Sequence, residues 1–230
     1  RMPGSAVSIA RCNIAINTAV AESLRLFADE LEGTPDFEAA LHDLIKREIH
    51  EHKRIIFNGN GYDDAWVSEA EKRGLLNLRT TPECLPYMLL EKNVAVYERH
   101  GVYTRTELES RHETALEEYS KLINIEAKTM IDMAAKDFLP AVSRFVGDTA
   151  AAANEKKLFC EDIDCTYETE TVKKLATLCG AATRRLSALE SVVKGTGAIT
   201  DAQQLADYYC GTVIPRMTEL RETVDAMETM

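Results

Sequence analysis

From Val172 to Val193, apolar residues recur at alternating steps of three and four: Val172, Leu175, Cys179, Ala182, Leu186, Leu189 and Val193. Such spacing puts one continuous seam along a helix, and the seam needs a partner to leave water. "KGTG" then breaks the helix, and a second one is expected from about Asp201. It carries Val213, Met217, Leu220, Val224 and Met227 on its stripe, with Pro215 as a kink. A short Gly-containing link between two long helices makes an antiparallel hairpin. A third long helix opens at "TRTE", where Thr104 and Glu107 have the form of a capping box. Its stripe is Leu116, Tyr119, Ile123, Ala127, Met130, Ala134 and Phe138, and Pro140 is expected to kink or end it. This helix should pack against the hairpin.

The earlier half reads the same way, and alternating strand patterns are almost absent. A helix is expected over 13–31, with Ile16, Val20, Leu24, Phe27 and Leu31 on one face. "GTPDFE" stops and restarts the chain, with Thr34 as the cap and Pro35 in the first turn. The next helix carries Phe37, Leu41, Leu44, Ile45 and Ile49. "RTTPECLP" repeats the restart device with Thr81, Pro82 and Glu83, and Pro86 disturbs the first turns of the helix that runs on towards His100. "GDTAAAANEKK" is the best boundary candidate, because small and polar residues replace the periodic pattern there, and "FCEDIDCTYETE" reads as an acidic loop. The expected class is all-α: a layer of amphipathic helices with a long antiparallel, coiled-coil-like hairpin at the C-terminal end.

Two glycines lie close together in "RIIFNGNGYDDAW". The stretch is neither G-x-G-x-x-G nor G-x-x-x-x-G-K, and no strand signal precedes it. Two aspartates at the start of the next helix would also oppose a bound anion. A structural turn, capped by Asp63 or Asp64, is favoured over a phosphate cradle.

The chain of 230 residues carries a formal net charge of −11, which disfavours nucleic acid and anionic membrane as partners. No apolar run approaches the roughly 20 residues of a membrane span. Cys12, Cys84, Cys160, Cys165, Cys179 and Cys210 are scattered, as in a cytoplasmic protein with reduced thiols. Cys160 and Cys165 form a C-x4-C pair without a second pair, so zinc is not expected. "HEH" at 50–52 sets two imidazoles about 200° apart on a helix, which cannot share a metal. His42, His100 and His112 read as ordinary, partly exposed residues. No complete active site emerges from composition and spacing.

Four stretches carry a family resemblance: "RMPGSAVSIARCNIAINTAVAESLRLFADELE", "HKRIIFNGNGYDDAWVSEAEKRGLLNLRTTPECLP", "INIEAKTMIDMAAKDFLPAVSRF" and "YYCGTVIPRMTELRETVDAME". Together they resemble the C-terminal region of type III glutamine synthetase, the long-chain bacterial class. The resemblance implies an ATP-dependent glutamate–ammonia ligase that forms glutamine through γ-glutamyl phosphate. Its cofactors would be ATP and Mg2+, bound by parts of the family's chain upstream of residue 1. Phosphoryl transfer needs positioning and cations against developing negative charge.

The resemblance also implies a division into 1–33, the tail of the catalytic domain; 34–146, a class-specific helical region; and 147–230, the helical hairpin. Arg1 resembles a catalytic arginine that grips phosphate or a substrate carboxylate. "GSAVS" (Gly4, Ser5, Ser8) and Asn13 resemble a loop near that site, although Cys12 stands where relatives are expected to have proline. Implied partners are glutamate and ammonia for the full enzyme, and other subunits of a large homo-oligomer, a double-ring dodecamer. This chain alone is expected to be structural and oligomerising rather than catalytic. The competing expectations are a stand-alone helical interaction module and a metal-binding sensor built on Cys160, Cys165 and histidines.

Overall fold

The computed structural model describes residues 8–230, and among them every regular element is helical. The chain forms two compact units, Arg1–His112 and Glu113–Met230.

In the first unit, α1 spans Ala10–Leu31. It ends at Gly33, whose φ of 75° is the left-handed conformation that glycine adopts without a Cβ penalty. The restart at α2, Phe37–Glu51, differs from expectation in its cap. Asp36 caps the helix by accepting from Ala39 N at 3.1 Å, while the Thr34 hydroxyl turns back to Leu31 O. Asp36 has the extended backbone a cap needs, and its carboxylate suits the positive helix end. A short 3-10 turn, Lys53–Ile55, comes after α2.

Helix α3, Asp64–Lys72, is capped by Asp63. The "TTPE" device is a capping box, with Thr80 rather than Thr81 as the capping residue and Glu83 reciprocating. The resulting α4, Thr81–Cys84, gives way at Pro86 to a 3-10 turn, Leu85–Leu89. The chain then re-forms as α5, Glu91–Arg99. The core of this unit is thin: Leu44, Leu85, Val94 and Leu108 are its buried aliphatic residues.

Helix α6, Arg105–Met133, begins in the first unit and ends in the second. Its start is the expected capping box, with Thr104 N donating to Glu107 and Glu107 N to Thr104 Oγ1. Pro140 does not end the helical run. A π turn, Ala134–Phe138, leads directly into α7, Leu139–Phe159, with Leu139 N donating to Ala134 O, five residues back. The wider turn relieves the clash between a proline ring and the carbonyl four residues earlier. The same device recurs at Pro215. There α9, Ala202–Tyr208, passes through a π turn, Tyr209–Val213, into α10, Ile214–Glu228. Between α7 and α9 lies α8, Thr166–Gly195.

The alanine-rich stretch 147–157 is unbroken helix within α7, as the high helix propensity of alanine favours. The acidic loop after α7 is shorter than expected, since α8 already starts at Thr166.

The hairpin pairs α8 with the last helices in antiparallel sense. Cys179 Sγ lies 3.8 Å from Met227 Sδ, and Arg185 donates to Glu219 O at 2.7 Å. The Tyr208 hydroxyl donates to Val192 O at 3.3 Å, so partner numbers fall as α8 numbers rise. Leu175, Ala182, Leu186, Leu189 and Val193 are buried with Val213, Met217, Leu220 and Met227 in one core. Ala127 and Ala134 join that core, and Tyr119, Ile123 and Met130 pack on it, as expected for the third helix. Phe138 does not: it is 39% exposed. The π turn inserts one extra residue, so the stripe advances by about 100°, and Leu139, Val142 and Val146 take over the inward face.

Candidate functional site

The glycine-containing loop is a turn with its own side-chain bracing. Asn60 Oδ1 accepts from Tyr62 N at 3.1 Å, and Asp63 Oδ1 accepts from Ala65 N at 2.8 Å. These short local bonds replace the missing backbone ladder. Phe57 folds back onto Trp66, ring on ring at 4.0 Å. The Arg73 guanidinium lies 5.6 Å from the Trp66 ring and donates to Ile56 O at 3.0 Å. Gly59 belongs to this packing, since a Cβ there would stand 2.6 Å from the Phe57 ring, while Gly61 faces open space.

Beside this loop lies a cleft of about 1110 Å³ formed by the second half of α2, the 3-10 turn and Arg73. Lys46, Arg47, His50, Lys53 and Arg54 line it, with Asp43 as the one carboxylate. Arg47 is held by both carboxylate oxygens of Glu30, at 2.6 and 2.8 Å, and Arg73 by Glu69 at 2.6 Å. The sequence pattern that builds the cleft is "KREIHEHKR", 46–54, with Lys46, Arg47 and His50 on the last turns of α2 and Lys53 and Arg54 on the 3-10 turn that follows. Composition did not show it, because the chain as a whole is acidic.

A second polar node joins α1 to α5. Glu22 accepts from Arg25 at 3.1 Å and from Arg99, and its Oε2 lies 2.8 Å from His100 Nε2. Arg25, more than any other neighbour, holds the Glu22 carboxyl down at about 2, with His100 and Arg99 adding to it against the opposing effect of burial. Burial pushes the Cys84 thiol and the Tyr97 phenol up. In the second unit, burial first and the Cys210 thiol second raise the Tyr119 phenol.

Arg1, Gly4 and Ser5 lie outside the described residues. Ser8 Oγ accepts from Ala10 N at 3.2 Å, and Cys12 and Asn13 are exposed on α1. Cys160 is exposed whereas Cys165 is buried and donates to Ala153 O, so the two thiols face different surroundings. The five histidines are dispersed: His50 in the cleft, His52 against Glu48, His100 on Glu22, His42 exposed, and His112 with its Nε2 buried. Among the described residues, no group of three or more His, Cys, Asp or Glu side chains is placed to hold a metal ion.

Much apolar surface is left open in the first unit. Ile16, Val20 and Leu24, three residues of the expected α1 stripe, are 61%, 50% and 61% exposed. Ile45, Ile49, Ile55 and Leu76 are exposed as well. No described helix is long and apolar enough to cross a membrane.

Known proteins resemble this chain along most of its length. It is 36% identical over 195 residues to a glutamine synthetase of Butyrivibrio fibrisolvens, covering 85% of this chain and 28% of that protein. It is 32% identical over 225 residues to a type-3 glutamine synthetase of Dictyostelium discoideum, covering 94% and 30%. A glutamine synthetase of Bacteroides fragilis matches at 30% over 244 residues, covering 99% and 32%. The chain thus spans under a third of the length of these relatives. A family model, the glutamine synthetase C-terminal domain, matches residues 40–157, which run from α2 through the glycine loop and the long α6 into α7. With more than half its length inside that model and the type III resemblance repeated among its relatives, the chain belongs to the glutamine synthetase C-terminal domain family.

Proposed function

We propose that this chain is the C-terminal part of an ATP-dependent glutamate–ammonia ligase, which makes glutamine through γ-glutamyl phosphate. In this reading, residues 1–33 are the tail of the catalytic part, 34–146 a class-specific helical region and 147–230 the hairpin. The chain contributes structure: it covers the ligase and meets neighbouring subunits in a large symmetric homo-oligomer, a double-ring dodecamer. The observation that carries this reading is the open apolar stripe of Ile16, Val20 and Leu24 on a helix whose opposite side already binds α5 through Glu22. An apolar stripe of this kind marks a docking face.

The described residues do not fit a Mg2+ or nucleotide centre, so no step of the reaction is assigned to them, and Arg1 keeps only the proposed role of gripping phosphate or carboxylate. The test is glutamine formation from glutamate, ammonia and ATP. The natural gene product is expected to be about three times this chain's length and active, with these 230 residues alone inactive. A natural product of only this length, or glutamine synthesis by these residues alone, overturns the proposal.

A further inference from the structure

We infer that the basic cleft beside α2 binds a compact multivalent anion of the phosphate class, such as a di- or triphosphate chain. The charge balance of the lining carries this. Arg47 and Arg73 are neutralised by Glu30 and Glu69. The side chains of Lys46, His50, Lys53 and Arg54 have no hydrogen-bonding or ion-pair partner among the described residues, and Asp43 is the only acid in the lining. Cations gathered in a concave space repel one another unless an anion sits between them. Here they gather in a chain of net charge −11, where carboxylates are plentiful elsewhere.

The lining also selects among anions. It contains no Phe, Tyr or Trp, and the Phe57 and Trp66 rings are stacked on each other. A nucleobase therefore has no large aromatic side chain to lie on, and recognition falls mainly to charge. Arg54 supplies a guanidinium fork and the two lysines supply point charges, the usual pairing for successive phosphate groups. Ile49 and Ile56 add apolar side chains to the lining. A long nucleic acid is disfavoured by the acidity of the rest of the surface, whereas a small anion meets only the cleft.

Arg73 connects the cleft to Trp66, the single tryptophan of the chain, so occupancy should change its emission. The inference does not depend on the ligase proposal, because it concerns only residues 43–73. It is tested on this chain by titrating sodium orthophosphate, pyrophosphate, tripolyphosphate and ATP, followed by Trp66 fluorescence and calorimetry. Saturable binding of one tripolyphosphate per chain is expected, weakening through pyrophosphate to orthophosphate.

Lys53→Glu and Arg54→Glu should each lower tripolyphosphate affinity by about tenfold or more, as loss of a charge-assisted contact does. Lys128→Glu, an exposed control on α6 with the same charge change, should stay within about twofold. ATP binding no more tightly than tripolyphosphate assigns the site to the phosphate chain and supports the inference, whereas clearly tighter ATP binding would mean that the base is recognised and overturns it. Absence of saturable binding, or equal weakening by Lys128→Glu, overturns it. So does a cleft filled by a second copy, seen as self-association in sedimentation that Lys53→Glu abolishes.

Discussion

At the scale of single residues, Glu22 is the clearest case of sequence-local chemistry acquiring a tertiary purpose. Arg25 lies one helical turn away on the same face, so that pair follows from spacing. Arg99 and His100 come from the end of α5, and no spacing rule brings them there. Because the folded carboxyl sits at about 2 against an ordinary 4.5, Glu22 stabilises the fold fully above about pH 5 and loses that contribution as pH falls towards 2. Glu22→Gln should therefore melt at lower temperature than the parent near neutrality, with the gap closing between about pH 4.5 and 2 in a series of thermal melts. An unchanged gap at about pH 3 would mean that the node does not anchor α1 to α5. The glycine loop supplies a second test. Gly59→Ala drives a methyl into a ring already stacked on Trp66 and should cost about 1–2 kcal/mol in urea unfolding. Gly61→Ala, facing open space, should stay within about 0.5 kcal/mol.

At the scale of elements, most helices were legible, but the second half of α7 was not, because 147–157 lacks a periodic apolar pattern and read as a boundary. Capping boxes at Thr104 and around Thr80, and the aspartate cap at Asp63, depend on residues within four positions of one another. The prolines were harder. Pro140 and Pro215 each forbid an ordinary α-helical turn, yet both helices continue. Burial of Ala134, Tyr209 and Val213 in the shared core holds the π turns that make continuation possible. Local rules count the lost hydrogen bond but not that packing, which is why periodicity alone puts Phe138 on the wrong face. The hairpin core is the place to measure packing directly. Leu189→Ala, at a position with 0% exposure, should cost about 2–5 kcal/mol, whereas Leu122→Ala, 52% exposed, should cost under about 0.5. Equal losses in chemical unfolding would mean that the seam is not the core.

At the scale of the whole molecule, the two units differ in how much they bury. The second has one continuous core drawn from α6, α8 and α10, while the first has a thin core and open apolar faces. Amide hydrogen exchange should accordingly be slowest in α8 and α10 and faster by about tenfold or more in α2 and α3, as regions with few buried apolar contacts open at lower cost. Protection in α2 equal to that in α8 would count against the open face as a surface awaiting a partner.

By itself the sequence determined the all-helical class, the antiparallel hairpin, the caps at Asp63 and Thr104 and the family, because each of these is written in periodicity, in neighbours one turn apart, or in long shared stretches. Tertiary structure alone decided which apolar stripes leave water, how two prolines are carried inside continuous helices, and that Arg73 joins the basic run 46–54 in one cleft of an acidic chain. Those outcomes depend on contacts between segments far apart in sequence, whose free energies exceed the local preferences of the residues that make them.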